Sequence, residues 1–340
     1  MQLDVLNPID QIDDPSMHFM HEALDLENMQ KHFEELRDVL PLAAKYRLKK
    51  IDVVRHKPGR RCLVEYTFRA PDRLKAEPIT LIGKVRSRSL DRRTYNLMQT
   101  LWKGSADDSY QYVLRVPQPL AAIPEYHMWL QPKLDGKPLW EYLQGSDAAR
   151  WGQLTAELIY TLHESRAETT RQHLMSDELS ILQDRLTSLS HDRPELKQRL
   201  QKILVCCESL GETIPEPLIA GIHRDFYPDQ VLVVGGEAVL LDLDLYCRGD
   251  VGLDIGNFIA HLQEYSLRLT GKHDRFHAAE NAIIDHYISL CRREEVRTSI
   301  DVYTVLTLVR HIHISTLFTD RQAFTDRIVE LCEYRLGIEN

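Results

Sequence analysis

The stretch that decides the fold is residues 219–261, IAGIHRDFYPDQVLVVGGEAVLLDLDLYCRGDVGLDIGNFIAH. Its first apolar run ends at a His-Arg-Asp triplet, residues 223–225. Two further apolar runs flank a Gly-Gly turn, which predicts a β-hairpin, and the second run leads to Asp242 and Asp244. Carboxylates beside buried strands are costly unless they are paired, hydrogen-bonded or bound to a metal ion. The stretch is therefore the first candidate for an active site.

The sequence contains 340 residues, enough for two domains or lobes and a large core. The formal net charge is −9, which disfavours a general nucleic-acid binder, since such a protein needs a basic surface. Residues 41–138 hold 20 Lys and Arg against 9 Asp and Glu, whereas residues 139–340 hold 20 against 32. The basic segment suits a polyphosphate and the acidic remainder suits metal ions or a cationic substrate, although unevenly charged solvated surface is the plainer interpretation.

Six cysteines are spread along the chain without a CxxC pair or metal-ligand spacing, which is typical of reduced thiols in a cytoplasmic protein. The acidic N-terminal segment lacks the basic and apolar regions of a signal peptide. No apolar run approaches the ~20 residues of a membrane span, so neither a membrane nor a nucleic acid is an expected partner.

Two lobes of different character are predicted. Residues 1–40 form an N-terminal arm, loose over its first part (residues 1–20), and an amphipathic helix near residues 22–39. Residues 41–130 form a small sheet of about five strands with one inserted helix, which Ser89 is expected to cap. The strands are predicted at residues 51–54, 62–68 and 79–86, with two more within 112–130.

Residues 131–138, QPKLDGKP, are rich in turn formers and are interpreted as a linker between the lobes. Beyond them, residues 139–340 are mainly helical and contain the catalytic stretch with its hairpin. The helices are predicted at residues 147–165, 177–189, 194–210, 253–269, 275–293, 300–318 and 321–336. The fold class is therefore α+β, with a small β-sheet N-lobe and a mainly helical C-lobe.

The polar residues of both lobes match the needs of phosphoryl transfer to an alcohol. That reaction needs a carboxylate for the hydroxyl proton, oxygen ligands for Mg²⁺, and cations that face phosphates. Asp225 follows an apolar strand and is the candidate base, and Gln230 and Asp242 are candidate metal ligands. Lys84 lies in mid-strand, and the turn of residues 58–61 supplies further cations. For the lysine and the turn, a protected strand edge and a plain hairpin are simple alternatives.

The order and spacing of these motifs resemble the aminoglycoside phosphotransferase and choline kinase-like family. The motifs are His223-Arg224-Asp225 with Gln230, Leu241-Asp242-Leu243-Asp244, Gly249-Asp250 and Asp254-Ile255. The resemblance covers roughly residues 45–265 and implies a two-lobed protein-kinase-like fold with a small antiparallel N-lobe sheet. It also implies an ATP- and Mg²⁺-dependent transfer of the γ-phosphate to a hydroxyl group of a small molecule, such as a sugar, an amino alcohol or an aminoglycoside.

The family also implies roles for single residues of the C-lobe. Asp225 would be the catalytic base and Asp242 the main Mg²⁺ ligand, with Asp244 either bracing Asp242 or binding the metal itself. His223 would brace the loop. Asp254 would cap its helix and tie the backbone of the loop.

In the N-lobe, the resemblance implies a nucleotide site. Lys84 would contact the α- and β-phosphates beneath a covering loop, and a hinge would meet adenine. The loop comprises Pro58, Gly59, Arg60 and Arg61, and the nucleotide-binding hinge residues are Leu130 and Gln131.

Three departures from the family pattern leave a second hypothesis open. Gln230 stands where Asn is usual, and Arg224, expected to support the loop, stands where the family often has Gly. No Glu between residues 77 and 125 can pair with Lys84. The alternative is a catalytically silent pseudokinase that binds a nucleotide or a partner. The chain lacks Asp-Phe-Gly and Ala-Pro-Glu motifs, which disfavours a protein kinase.

Overall fold

The computed structural model describes residues 14–71, 76–104 and 113–338, apart from the side chains of residues 43 and 44. The chain divides into two compact units. Unit 1 comprises Met1–Lys103 and Val116–Asp135, and unit 2 comprises Gly104–Arg115 and Gly136–Asn340. The division after Asp135 falls within the segment interpreted as a linker.

The described part of the N-terminal segment, from Asp14 onward, belongs to unit 1. Residues 1–13 of the predicted arm lie outside the described residues. The next residues, expected to be loose, instead include a 3₁₀ helix at Pro15–Met17, and its Met17 is buried in the core. Asp14 precedes this helix and is itself almost fully buried.

Unit 1 contains a five-stranded antiparallel sheet. Its strands are β1 Arg47–Lys57, β2 Arg61–Arg69, β3 Ile79–Arg86, β4 Ala121–Ile123 and β5 Met128–Pro132. Their order in the sheet is β1-β2-β3-β5-β4, and all neighbours are antiparallel. Every second side chain of β2 from Cys62 to Phe68 is buried, because successive side chains of a strand point to opposite faces. The predicted small antiparallel sheet is confirmed.

Two short helices, α1 Met20–Ala23 and α2 Leu26–Glu35, pack in the core of this unit. Phe33 of α2 contacts Tyr66 and Phe68 of β2 edge-on, at ring-centroid distances of 5.3 and 4.8 Å. The single helix predicted in this region is therefore divided into two.

The helix inserted after β3 is α3, Arg92–Gly104. Its cap is Asp91 and not Ser89, because Asp91 Oδ1 accepts a hydrogen bond from the Thr94 N–H at 3.0 Å. Asp91 directly precedes the first helical residue, which is the position from which a short carboxylate reaches the unpaired N–H groups of the first turn.

Unit 2 is mainly helical, as predicted. Its helices are α4 Trp140–Leu143, α5 Ala148–Glu164, α6 Met175–Asp192, α7 Lys197–Gly211, α8 Val251–Thr270, α9 His277–Cys291, α10 Val296–Thr316 and α11 Thr325–Leu336. Only the short α4 was not anticipated from periodicity. Within the described ranges, no helix combines the length and apolarity that a membrane crossing requires.

Two small sheets interrupt these helices, and most of their strands come from residues 219–261. The strands are β6 Lys137–Pro138, β7 Ile219–Ile222, β8 Val231–Val234, β9 Glu237–Leu240 and β10 Cys247–Asp250. β8 and β9 form the predicted hairpin, and Gly235 and Gly236 at its turn have φ of +59° and +87°. Such positive angles suit glycine in a two-residue hairpin turn. β6 extends this sheet, and β7 pairs with β10.

Helices α8 and α10 approach each other closely at two glycines of α8. A Cβ atom on Gly256 would lie 2.7 Å from the Thr304 nitrogen and 2.8 Å from the Ile300 carbonyl oxygen. A Cβ atom on Gly252 would collide with Ser299 in the same way. These obstacles include main-chain atoms, which cannot move aside as the end of a flexible side chain can.

Gly256→Ala should lower the free energy of unfolding by about 1–3 kcal/mol, because the added methyl group forces α8 away from α10. Gly145→Ala is the matched control, since the nearest neighbouring atom would lie 3.9 Å from the methyl group added there. The control should be neutral or stabilising by less than about 1 kcal/mol. Denaturant unfolding of both variants measures the difference, and equal stabilities would contradict the close approach.

Candidate functional site

The His-Arg-Asp triplet forms the loop that leaves β7. The side chain of His223 is fully buried, whereas Arg224 and Asp225 are half-buried. Arg224 has φ +71°, in the left-handed region that favours glycine. A non-glycine residue in this conformation is strained, so neighbouring contacts must hold the loop in place.

The carboxylate of Asp254, in the first turn of α8, holds this loop. The residue is completely buried. Its Oδ2 accepts a hydrogen bond from the His223 N–H at 2.7 Å, and Oδ1 accepts one from the Arg224 N–H at 2.6 Å. His163 Nε2 donates to Oδ2 at 2.9 Å, while the Tyr287 hydroxyl donates to His163 Nδ1 at 2.7 Å. Burial raises the pKa of Tyr287 well above its usual value, which keeps this hydroxyl protonated as a donor.

Further hydrogen bonds hold the loop from both sides. His223 Nδ1 accepts a hydrogen bond from the Asp225 N–H at 3.2 Å, and His223 Nε2 donates to the Leu241 carbonyl at 2.7 Å. On the other side, Asn257 Nδ2 donates to the Phe226 carbonyl at 2.7 Å. The loop is thereby fixed to the end of β9 and to α8.

The hairpin brings the candidate metal ligands to one place. Asp242 follows β9 and has φ +49°, again in the left-handed region. The Leu241 N–H donates to the Gln230 carbonyl at 2.8 Å, so the buried Gln230 lies beside the strand end that carries Asp242. Asp244 lies in the following 3₁₀ turn, where its carbonyl accepts a hydrogen bond from Arg171 at 3.1 Å.

The oxygen donors of Asp242 and Gln230 fit a magnesium ion that is bound together with a nucleotide. Mg²⁺ commonly takes one or two protein ligands and completes its shell with water and phosphate oxygens. In the described part of the chain, no group of three His, Cys, Asp or Glu side chains is placed to hold a metal ion. A Mg²⁺ ion held by Asp242 and Gln230 would complete its shell with water or phosphate oxygens.

A cavity of about 590 Å³ lies beside Asp225 within unit 2, which is room for a small molecule. Helices α6, α8 and α10 and the segment after α10 form its walls. Trp140 and Tyr265 provide aromatic surface, with ring centroids 4.5 Å apart. The charged residues in the lining are Arg185, Arg224, Arg268, Arg310, Arg321, Asp225, Asp229 and Glu264.

In unit 1, an aromatic ring orients Lys84. Lys84 on β3 lies opposite Trp129 on β5, and its Nζ stands 5.1 Å from the centroid of the indole ring, in cation–π geometry. No acidic side chain in the described ranges makes an ion pair with Lys84. The nearest acid in the following sequence, Asp91, pairs with Arg86 at 3.3 Å.

The turn at residues 58–61 is tied to Asp14. Gly59 has φ +67°, and its N–H donates to Asp14 Oδ2 at 2.8 Å. His56 Nε2 lies 2.9 Å from the same oxygen, and the Ser16 hydroxyl donates to Oδ1 at 2.6 Å. The hydrogen bonds from Ser16 and Gly59 hold the pKa of Asp14 well below its usual value. An ionised carboxylate thus fixes the turn.

Two other features of unit 1 suit a polyphosphate ligand that carries an N–H donor. A basic groove of about 560 Å³ lies beside the turn. Its arginines are Arg60, Arg86, Arg88, Arg92 and Arg93. On β5, Leu130 and Gln131 are buried, and Gln131 Oε1 has no hydrogen-bond partner among the described residues. A buried acceptor of this kind is costly until a donor reaches it.

Some of these features differ from the sequence analysis. Asp250, and not Asp254, caps α8, since its Oδ1 accepts a hydrogen bond from the Gly252 N–H at 3.0 Å. The role of Asp14 had no sequence signal, because it acts on a turn more than forty residues away. The cavity arginines were also missed, since they come from separate elements and the excess of acids over residues 139–340 conceals them.

Comparison with known proteins places the chain in a family. A family model described as a phosphotransferase enzyme family matches residues 93–275, which is more than half of the chain. No curated protein sequence matches the chain significantly.

Several solved structures share the fold over almost the whole chain. A choline kinase from Cryptosporidium parvum Iowa II has a TM-score of 0.63 at 14% identity and covers 91% of this chain and 95% of its own. An amicoumacin kinase, solved with AMP-PNP and Ca²⁺, has a TM-score of 0.54 at 15% identity, covering 90% and 95%. A putative aminoglycoside phosphotransferase from Ralstonia eutropha JMP134 has a TM-score of 0.54 at 13% identity, covering 91% and 97%. These likenesses confirm the expected kinase-like α+β fold.

Asp254→Asn should lower the free energy of unfolding by about 2–5 kcal/mol, because an amide cannot accept all three hydrogen bonds and leaves a buried N–H unpaired. Asp250→Asn is the matched control on the same helix. Asn caps helices as well as Asp does, and burial already raises the pKa of Asp250, so the control should cost less than about 1 kcal/mol. Denaturant unfolding and amide hydrogen exchange at His223 and Arg224 report the effect. Equal losses in the two variants would show that Asp254 does not hold the loop.

Proposed function

Because this chain belongs to the phosphotransferase enzyme family, we propose that it transfers the γ-phosphate of ATP, in the presence of Mg²⁺, to a hydroxyl group of a small molecule. Family membership supports the phosphoryl transfer itself. The nucleotide, the metal and the acceptor are our assignments. The main observation that supports these assignments is the position of Asp225. Its half-buried carboxylate lies in the wall of a cavity of about 590 Å³.

Asp225 accepts the proton of the acceptor hydroxyl. Its backbone N–H is bonded to His223, and the preceding backbone is bonded to Asp254, so the carboxylate is held at a fixed place beside the cavity. Phosphoryl transfer requires little covalent chemistry from the protein, and most of the rate enhancement comes from positioning and from stabilised charge. A rigid loop beside a small-molecule cavity supports this role.

Asp242 and Gln230 each supply one oxygen to Mg²⁺. Bound Mg²⁺ neutralises negative charge on the phosphates. His223 links the two parts of the site, because its imidazole accepts a hydrogen bond from Asp225 and donates one to Leu241, the neighbour of Asp242. Asp225, the proposed base, and Asp242, the proposed metal ligand, are therefore both held in place through His223.

Unit 1 binds the nucleotide. Lys84 contacts the α- and β-phosphates, and this role is supported by the orientation of its ammonium group over Trp129, which leaves the positive charge unneutralised. The turn comprising Pro58, Gly59, Arg60 and Arg61 covers the phosphates, with the basic groove beside it. Leu130 and Gln131 meet adenine, and the unpaired Gln131 Oε1 accepts from an N–H donor of the base.

Asp225→Asn should reduce Mg²⁺- and ATP-dependent formation of ADP by at least about 100-fold, since general-base catalysis contributes roughly 10²–10⁴-fold. A coupled ADP assay with a pool of hydroxylated metabolites measures the rate. Asp147→Asn, which changes an exposed aspartate in unit 2, should keep the wild-type rate. Thermal shifts with ATP should be equal in all three proteins. ATP binding that ignores Mg²⁺, together with no turnover that depends on Asp225, would identify a silent pseudokinase instead.

Gln230→Ala should raise the Mg²⁺ concentration needed for half-maximal rate by at least about 10-fold, as expected when a residue that binds or supports a metal is removed. Gln230→Asn, which keeps the amide on a shorter arm, should fall between the alanine variant and wild type. The measurement is a Mg²⁺ titration of ADP formation at fixed ATP. An unchanged titration in Gln230→Ala would remove this side chain from the metal site.

A further inference from the structure

Four arginines meet in the wall of the cavity beside Asp225. We call them the arginine cluster: Arg185 of α6, Arg268 of α8, Arg310 of α10 and Arg321, which follows α10. The positive charges of all four arginines affect His311, which is buried. Burial and these charges together lower the pKa of His311 to about 3. Positive charges that lie close together in a partly buried wall repel one another unless a negatively charged group lies between or beside them.

Two members of the arginine cluster pair with carboxylates of the protein itself. Arg268 Nε donates to Glu264 Oε1 at 2.7 Å, and its guanidinium stands 5.0 Å from the centroid of the Tyr265 ring. Arg310 Nη1 donates to Glu178 Oε2 at 3.4 Å. Glu264 and Glu178 are therefore already engaged, and the other acids of the lining are Asp225, the proposed base, and the exposed Asp229.

The other two members are incompletely satisfied. Arg185 Nη1 and Arg321 Nε are buried without a hydrogen-bond partner, and neither arginine makes an ion pair, within the described ranges. Burial and the nearby charge of Arg310 lower the pKa of Arg185. Unpaired buried donors are costly, and a guanidinium is shaped to bind a carboxylate or a phosphate through two parallel hydrogen bonds.

A cationic acceptor matches the cavity less well. Aromatic rings such as Trp140 and Tyr265 can bind an ammonium group, but Arg268 already lies over Tyr265. Glu264, the acid beside them, is paired with the same arginine. The excess of acids over residues 139–340 suggested a cationic substrate, yet arginines outnumber acids in the cavity lining itself.

We propose that the acceptor is an anionic alcohol, whose carboxylate or phosphate group binds the arginine cluster through Arg185 and Arg321 while its hydroxyl faces Asp225. This inference rests on the proposed phosphoryl transfer and narrows its substrate class. In the reaction, the hydroxyl oxygen forms a bond to the γ-phosphorus as the bond to the bridging oxygen of ADP breaks. The hydroxyl proton passes to Asp225, and ADP leaves with the electron pair of the broken bond.

Turnover of alcohols that differ in charge tests the substrate class. Glycerol is the neutral probe, choline the cationic one, glycerate carries a carboxylate and glycerol 3-phosphate carries a phosphate. The two anionic probes should give the highest kcat/KM. Arg185→Gln combined with Arg321→Gln should raise their KM by about 10- to 100-fold with a smaller change in kcat, as expected for lost hydrogen bonds to charged groups. Preference for glycerol or choline would overturn the proposal, as would an unchanged KM.

Lys202→Gln provides the matched control, because it removes one positive charge from the exposed surface of α7. It should leave the KM for the anionic probes unchanged. A rise in KM equal to that of the arginine variant would mean that only the net charge of the protein matters, and would overturn the assigned site.

Binding without turnover separates this proposal from the proposed function. In Asp225→Asn protein at constant ionic strength, glycerate or glycerol 3-phosphate should raise Tm, whereas glycerol and choline should not. The shift should vanish when Arg185 and Arg321 are also replaced by Gln. The triple variant, which has less repulsion, should be at least as stable as Asp225→Asn in anion-free buffer. Anion binding without turnover in wild type supports the anion site while removing the kinase function. Turnover of other alcohols without an anion-dependent rise in Tm supports the kinase function and removes the anion site.

Discussion

A single buried carboxylate, that of Asp254, sets the geometry of the loop that carries Asp225. An ionised group without access to water is tolerated only when hydrogen bonds replace its hydration. Here two of those bonds come from consecutive backbone N–H groups, at His223 and Arg224, and the third comes from His163. The negative charge of Asp254 keeps both backbone hydrogen bonds only while Arg224 keeps its left-handed conformation. The strained backbone and the buried charge therefore stabilise each other, and neither is favourable alone.

Helix α8 joins this support to the cavity beside Asp225. One stripe of the helix carries polar residues at alternating spacings of three and four, which places them on a common face. The residues of this stripe are Asp254, Asn257, His261, Glu264 and Arg268. The first two bond to the loop and the last three line the cavity. The position of Asp225, the proposed base, and the lining of the proposed acceptor site thus depend on the same helix face.

Local patterns predicted most of the fold but not the long-range pairings. Strand-like apolar runs and helical periodicity predicted the sheet and the larger helices, and the Gly-Gly turn predicted a hairpin. In the structure, that hairpin aligns Gln230 with the strand end at Asp242. The cap of α3 was misassigned because Ser89 and Asp91 are both good capping residues, and only the backbone decides between them. The hydrogen bond between Asp14 and Gly59 joins segments far apart in sequence, and so does the cavity that Arg185 and Arg321 both line. No local period records such contacts, so the arginines of the cavity lining could not be predicted from the net charge of residues 139–340.

The glycine-mediated contact between α8 and α10 limits how the cavity beside Asp225 can change. Main-chain atoms of the two helices meet at Gly252 and Gly256, so any separation or sliding that enlarges the cavity would break this close packing and lower stability. Arg268 of α8 and Arg310 of α10 therefore project from two closely packed helices, which together form a rigid frame. Altered selectivity, in natural variants or by engineering, must come from exchanging side chains on this frame or from remodelling the segment after α10 that carries Arg321. The frame itself is the part to leave untouched when the pocket is redesigned.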